Sequence, residues 1–253
     1  MKRKNNKVFY RIILALATTV FLVSGVQLYR MAFRYYEGRE SYRKVEEVAG
    51  IQESEAQEEL RFTPDLEALK EMNPDCVGYI YCEDVLSYPI VRGNDNSYYL
   101  THLFDKTEHM AGAIFMDAGC NGFRDRNCIL YGHNMLDGSM FGSLYRFADE
   151  NFCKEHPIFD VYTEDGHDQY RVLAAYRTAI EGAAYKTSFS QEADFQSFLK
   201  EIRGYSSYEN VKPNLLDAKA VLTLSTCTWD SSDSERFVVV CVREERSDQI
   251  AAH

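Results

Sequence analysis

Eight short runs rich in β-branched and aromatic residues constrain this chain more than any other feature: VGYIY (77–81), LSYPIV (86–91), GAIFMD (112–117), CILYG (128–132), IFDVYT (158–163), QYRVLAAYRT (169–178), AVLTLST (220–226) and RFVVVCV (236–242). Clusters of Gly, Asn, Asp and Pro separate them, which is strand punctuation. Many short strands escape exposed edges by closing on themselves, so the expected fold is mainly β, a closed or nearly closed eight-stranded barrel. Two helical patterns interrupt the series, SMFGSLYRFAD (139–149) and EADFQSFLKEIRGY (192–205), the second with Phe195, Phe198 and Leu199 on one face. Ahead of the barrel, Thr63-Pro64 reads as an N-cap followed by proline at the first helical position, opening a helix of about ten residues.

The N-terminus is of another kind. Residues 12–29, IILALATTVFLVSGVQLY, form eighteen uncharged residues in a row, within the roughly 17–25 that a helix needs to cross hydrocarbon. Five cations precede them, Lys2, Arg3, Lys4, Lys7 and Arg11, with no acid among them. That bias places the N-terminus in the cytoplasm and the rest outside. A cleaved signal peptide is the rival reading, because Val23-Ser24-Gly25 follows a short apolar stretch; the run continues past that point to a spanning length, which favours a retained anchor. Both readings export the domain. Residues 1–30 hold six of the 28 Lys+Arg and none of the 39 Asp+Glu, leaving 22 basic against 39 acidic side chains, about −17, outside. Such acidity disfavours nucleic acid and anionic lipid as partners and otherwise describes a soluble surface. Residues 31–61 are charged and proline-free and read as a solvated helix or stalk.

Seven cysteines follow the apolar run: Cys76, Cys82, Cys120, Cys128, Cys153, Cys227 and Cys241. An odd number in an exported domain leaves at least one thiol unpaired within the chain. Cys128 and Cys241 lie in apolar runs, where a thiol acts as a small hydrophobe. No zinc spacing is present, neither paired CxxC nor HExxH. Cys227 ends the alternating run that begins at Val221, so it should sit where a strand leaves the sheet, and Arg236 opens the next run. Paired as a hairpin, those strands bring Cys227 and Arg236 to one rim. His133 also directly follows a strand. A thiol is mostly protonated at neutral pH, so a nucleophilic cysteine needs positive charge or a base nearby, which Arg236 and His133 supply.

TLSTC (223–227), with an arginine opening the following strand, resembles the TLxTC signature of sortases. NPDCVGYI (73–80), YPIVRGNDNSYYL (88–100), GAIFMD (112–117) and ILYGHNMLDGSMFGSL (129–144) are similar to further blocks of that family, in family order. The helical lead-in and the long helix-bearing insert at 186–212, before the nucleophile strand, resemble class B. A pilin-polymerising sortase is the less similar alternative, since that class usually carries a second, C-terminal membrane segment and a lid.

The resemblance implies a sortase-like barrel with N-terminal helices, divided as a basic cytoplasmic tail (1–11), a transmembrane anchor (12–30), a helical stalk and lead-in (31–72), a catalytic barrel (73–245) and a C-terminal tail (246–253). It implies that Cys227 attacks the carbonyl of a threonine in a C-terminal sorting signal, that His133 works as general acid and base, that Arg236 stabilises the oxyanion, and that a backbone N–H near Thr228 completes the hole. The partners implied are a surface protein with an N/S-P-x-T-like motif and an amine of the peptidoglycan peptide; no metal or organic cofactor is required. Asn96, Leu100, Tyr185 and Ser225 fall where class B sortases bind the sorting peptide. Leu100 reads equally well as a core residue, and Asn96 as part of an Asx-turn after Asp95. A secreted cysteine peptidase that only hydrolyses, and an inactive surface-binding barrel, are the competing classes; the intact Cys, His and Arg set disfavours the latter.

Overall fold

The structure, a computed structural model, describes residues 2–50, 63–208, 218–227 and 234–244, with residues 2–6 and Cys227 described by their backbone alone. It consists of two units, residues 1–40 and 41–253. The first holds most of helix α1 (Lys2–Val48), which contains one window apolar and long enough to cross a membrane; Leu14, Phe21 and Leu22 are among its exposed side chains. The part of the expected stalk at 51–62, the end of the insert at 209–217, Thr228 and the tail after Glu244 lie outside the described residues.

The second unit is a closed eight-stranded barrel. Its strands are β1 (Cys76–Cys82), β2 (Leu86–Val91), β3 (Ile114–Met116), β4 (Asn127–Tyr131), β5 (Ile158–Thr163), β6 (Gly166–Ala179), β7 (Val221–Cys227) and β8 (Glu235–Arg243). Each falls on one of the eight apolar runs. Around the barrel the order is β1-β2-β3-β4-β7-β8-β6-β5, closed by β5 on β1. Two pairs are parallel, β2 with β3 and β4 with β7; the other six are antiparallel. A parallel pair needs a long crossover. The β4–β7 crossover includes β5, β6 and the insert.

Four helical segments differ from or refine the sequence reading. Helix α2 (Leu66–Met72) has seven residues, and its N-cap is Asp65, whose carboxylate accepts from the Ala68 N–H at 2.9 Å; Pro64 stands one residue outside. The helix ends at Asn73, which is extended (φ −143, ψ 107), the conformation that a following proline imposes. The 139–149 pattern forms a tight 3-10 helix (Gly142–Ala148), after which Asp149 caps α3 (Glu150–Glu155) by accepting from Asn151 and Phe152 N–H. Helix α4 (Glu192–Gly204) buries Phe195, Phe198, Leu199 and Ile202. Those four side chains form one cluster with Leu173, Val221, Val238, Val240 and Val242 of β6, β7 and β8, so the insert covers the outside of the barrel beside the start of β7 and the facing residues of β8.

The loop between β2 and β3 is held from beneath. Asn73 is fully buried and donates to the Tyr99 hydroxyl (3.0 Å) and the Phe104 carbonyl (2.7 Å). Tyr99, also buried, donates to Asp75 (2.6 Å), which pairs with Lys106 (2.9 Å). From α1, Tyr42 donates to the Gly112 carbonyl at 2.8 Å. Gly112 has φ +58, and a Cβ there would meet the Tyr99 carbonyl oxygen at 2.5 Å and that of Leu100 at 2.8 Å; only glycine fits.

Hydrogen bonds from Lys106, then Tyr99, hold the Asp75 carboxyl below its usual value. A carboxylate whose folded pKa is depressed stabilises the fold above its unfolded pKa, about 3.9, and loses that contribution as pH falls through the folded value. Asp75→Asn should therefore lower the unfolding temperature at pH 7 and have a smaller effect near pH 3. Equal losses at both pH values would show that the charge plays no part in holding this loop.

Candidate active site

The two strands that follow one another in the TLSTC region pair antiparallel from Val221↔Val242 to Cys227↔Arg236. Strand alternation therefore gives positions 221, 223, 225 and 227 one face, and 242, 240, 238 and 236 the same face of the neighbouring strand. Directly opposed residues have Cβ atoms about 4.5–5.5 Å apart. On the other side of β7, β4 runs parallel with Tyr131↔Ser225 in register. The ladder extends one step further, because Gly132 N–H donates to the Ser225 carbonyl at 3.2 Å. His133 is thus two residues beyond Tyr131, and Cys227 two beyond Ser225, at the same end of adjacent strands. Three neighbouring strands bring His133, Cys227 and Arg236 to one rim.

His133 is partly buried and its Nε2 lies 2.7 Å from the Leu100 carbonyl oxygen. A carbonyl only accepts, so Nε2 carries the proton. Phe141 N–H donates to the His133 carbonyl at 2.9 Å, which fixes the backbone behind the ring. Arg236 is partly buried, and one of its guanidinium N–H groups donates to the Glu235 carbonyl at 2.8 Å. Next to it, Phe237 stacks on Tyr145 from the 3-10 helix at 4.4 Å.

The six other cysteines are buried free thiols. Burial raises Cys76 to about 11, Cys82 to about 12 and Cys153 to about 11. A hydrogen bond to Cys120 and then burial hold Cys128 well above the ordinary thiol range, and burial does the same to Cys241. Cys120 is lowered by the hydrogen bond with Cys128 but is fully enclosed. None of the six offers a reachable thiolate.

Of the four remaining sequence candidates, Ser225, Tyr185 and Leu100 connect directly to this rim. Ser225 is buried and its hydroxyl lies 2.7 Å from that of Tyr185, which closes the short turn Ala183–Tyr185 at the start of the insert. Leu100 is 37% exposed, so it is not a core residue; Tyr99 takes the core place. Asp95 makes the Asx-turn by accepting from Ser97 and Tyr98 N–H. Asn96 instead donates to Asp117 (2.8 Å) and accepts from Ala118 N–H (2.7 Å). Asp117 also accepts from the Tyr131 hydroxyl (2.9 Å). Sequence reasoning gave Asp117 and Tyr131 no role, although a carboxylate closing the apolar run GAIFM is a signal that could have found the first.

A family model described as the sortase domain matches residues 84–244. Sortase B of Listeria monocytogenes is 33% identical over 229 residues, covering 87% of this chain and 90% of that protein. Sortase B of Staphylococcus aureus is 30% identical over 244 residues, covering 94% and 97%. The solved Staphylococcus aureus sortase B–substrate complex superposes with a TM-score of 0.73 at 31% identity, over 85% of this chain and all of that one. With its closed barrel, its TLSTC strand end and relatives matched along nearly their full length, the chain belongs to the sortase family of cysteine transpeptidases, in class B.

Proposed function

We propose that Cys227, His133 and Arg236 cleave a C-terminal sorting signal after threonine and transfer the surface protein to a peptidoglycan amine. The observation that carries this reading is the register that sets positions 133, 227 and 236 side by side at one rim. The Cys227 thiolate attacks the threonine carbonyl carbon, and the negative charge that develops on its oxygen is met by the Arg236 guanidinium. The planar fork of Arg236 supplies directed donors rather than charge alone. As the C–N bond breaks, the leaving amine takes a proton from the His133 imidazolium, whose ring the Leu100 carbonyl orients through Nε2–H. An incoming amine then attacks the thioester, gives its proton to His133 and releases the thiolate. Tyr185, Ser225, Asn96 and Leu100 bind the sorting peptide along the same side; a Staphylococcus aureus sortase B solved as a substrate complex supports a substrate site on a barrel of this kind.

Residues 12–30 anchor the protein, with residues 1–11 in the cytoplasm and the barrel facing the wall. The exposed apolar side chains of α1 support that placement. Full-length protein should stay with membranes through a high-salt wash, which screens charge attraction but not hydrophobic insertion. Recovery as a shorter soluble chain beginning near Val26 would contradict the anchor.

The products test the reaction. With a threonine-containing pentapeptide library and an added peptide amine, the protein should yield threonine joined to that amine, read by mass spectrometry; free acid alone would identify a peptidase instead. Arg236→Lys keeps the charge and removes the fork. It should lower kcat by about 10²–10³, as deletion of an oxyanion donor does. Turnover within about threefold of the parent, at matched folding, would show that charge alone suffices.

A further inference from the structure

We propose that Asn127 is a positioning residue: it pins the turn carrying Tyr185 against the nucleophile strand, and so sets how tightly the site holds the sorting peptide. The inference rests on the peptide-binding role proposed above for Tyr185.

Asn127 opens β4, and its side chain is fully buried. Its amide donates one hydrogen to the Ala184 carbonyl (2.8 Å) and the other to the Lys186 carbonyl (2.9 Å). Its oxygen accepts from the Thr223 hydroxyl at 2.9 Å. A single side chain therefore joins three segments: the start of β4, the TLSTC strand and the turn at 184–186. The two carbonyls flank Tyr185 in sequence, so the backbone on either side of that residue is fixed to the barrel. Thr223, Ser225 and Cys227 share one face of β7 by alternation. Asn127 acts on the first of these positions and Tyr185 on the second, which leaves Tyr185 adjacent to the third.

The residue before Asn127 supports the far side of the same loop. Arg126 donates to Glu192 at 2.6 Å and to the Lys219 carbonyl at 3.2 Å, and its guanidinium lies 4.9 Å from the Phe195 ring centroid. Residues 126 and 127 thus clamp both ends of the segment that leads from the Tyr185 turn into α4. A buried amide could simply satisfy two buried carbonyls, with no effect on the reaction. What sets this one apart is where its partners lie: both carbonyls belong to the wall of the site, and neither to the barrel.

The test uses full-length protein in detergent micelles and a pentapeptide that the parent cleaves. Asn127→Ala should speed amide hydrogen exchange over residues 183–190. It should also raise KM about tenfold, the scale of one lost directed hydrogen bond, while kcat and the rate of Cys227 alkylation by a small reagent stay within about twofold. A KM increase without a kcat loss marks binding rather than chemistry. Tyr185→Phe is measured beside it. A raised KM in Tyr185→Phe with none in Asn127→Ala overturns the proposal alone; no change in either overturns the binding role of Tyr185 and the proposal with it. Unchanged exchange over 183–190, or parallel losses in kcat, alkylation and unfolding temperature, also overturn it. If Asn127→Ala fails to fold, Thr223→Val removes only the hydroxyl that orients the amide, and about a threefold KM increase is expected, with no increase contradicting the proposal.

Discussion

The parallel pairing of β4 with β7 is the constraint on which the rest of this molecule depends. It aligns Tyr131 with Ser225, and from that register follow the places of His133 and Cys227, each two residues further along. A slip of one residue would turn the TLSTC strand over and move every side chain to the other face. The register is secured from several directions. Hairpin pairing with β8 runs the whole length of β7. Val238, Val240 and Val242 of β8 and Val221 of β7 lock into α4, and Asn127 ties β4 to Thr223. Closure of the barrel leaves no free edge along which any of these strands could shift.

Such a frame makes the chemistry a matter of strand ends. Backbone ladders fix positions far better than loops do, and the nucleophile, proton carrier and oxyanion donor proposed above come from the ends of three adjacent strands, so they need little further organisation. What the ladders do not fix, loops supply. The excursion between β2 and β3 delivers the Leu100 carbonyl to His133 and stands on the hydrogen-bonded chain of buried Asn73 and Tyr99 with the half-buried Asp75. The Tyr185 turn delivers a hydroxyl to Ser225. Burial meanwhile keeps the other cysteines out of contention as nucleophiles.

Much of the barrel was legible in the sequence, because strands half-buried in a sheet leave a period-two pattern bounded by turn residues. The meeting of positions 227 and 236 was legible for the same reason: consecutive strands joined as a hairpin bring the end of one to the start of the next. Other features were hidden. The parallel β4–β7 pair joins segments some ninety residues apart, and no local pattern encodes it. Asp65 replaced Thr63 as the cap of α2 because its carboxylate reaches the Ala68 amide, a choice that both residue types permit. Leu100 read equally well as core or as peptide-binding because YYL is apolar, and the structure turns only Tyr99 of the three inward. The links from Asn96 to Asp117 and from Asn127 to Ala184 span long stretches of chain through side-chain amides, and nothing in their spacing announces them.

The proposed chemistry requires that this register make residue 227 the nucleophile. Acid quenching during turnover of a cleaved peptide, followed by proteolysis and mass spectrometry, locates the covalent intermediate. One acyl group on Cys227, removed by hydroxylamine as a thioester should be, is the result expected. An acyl group on any other residue, or peptide cleavage that persists in Cys227→Ala, would contradict it.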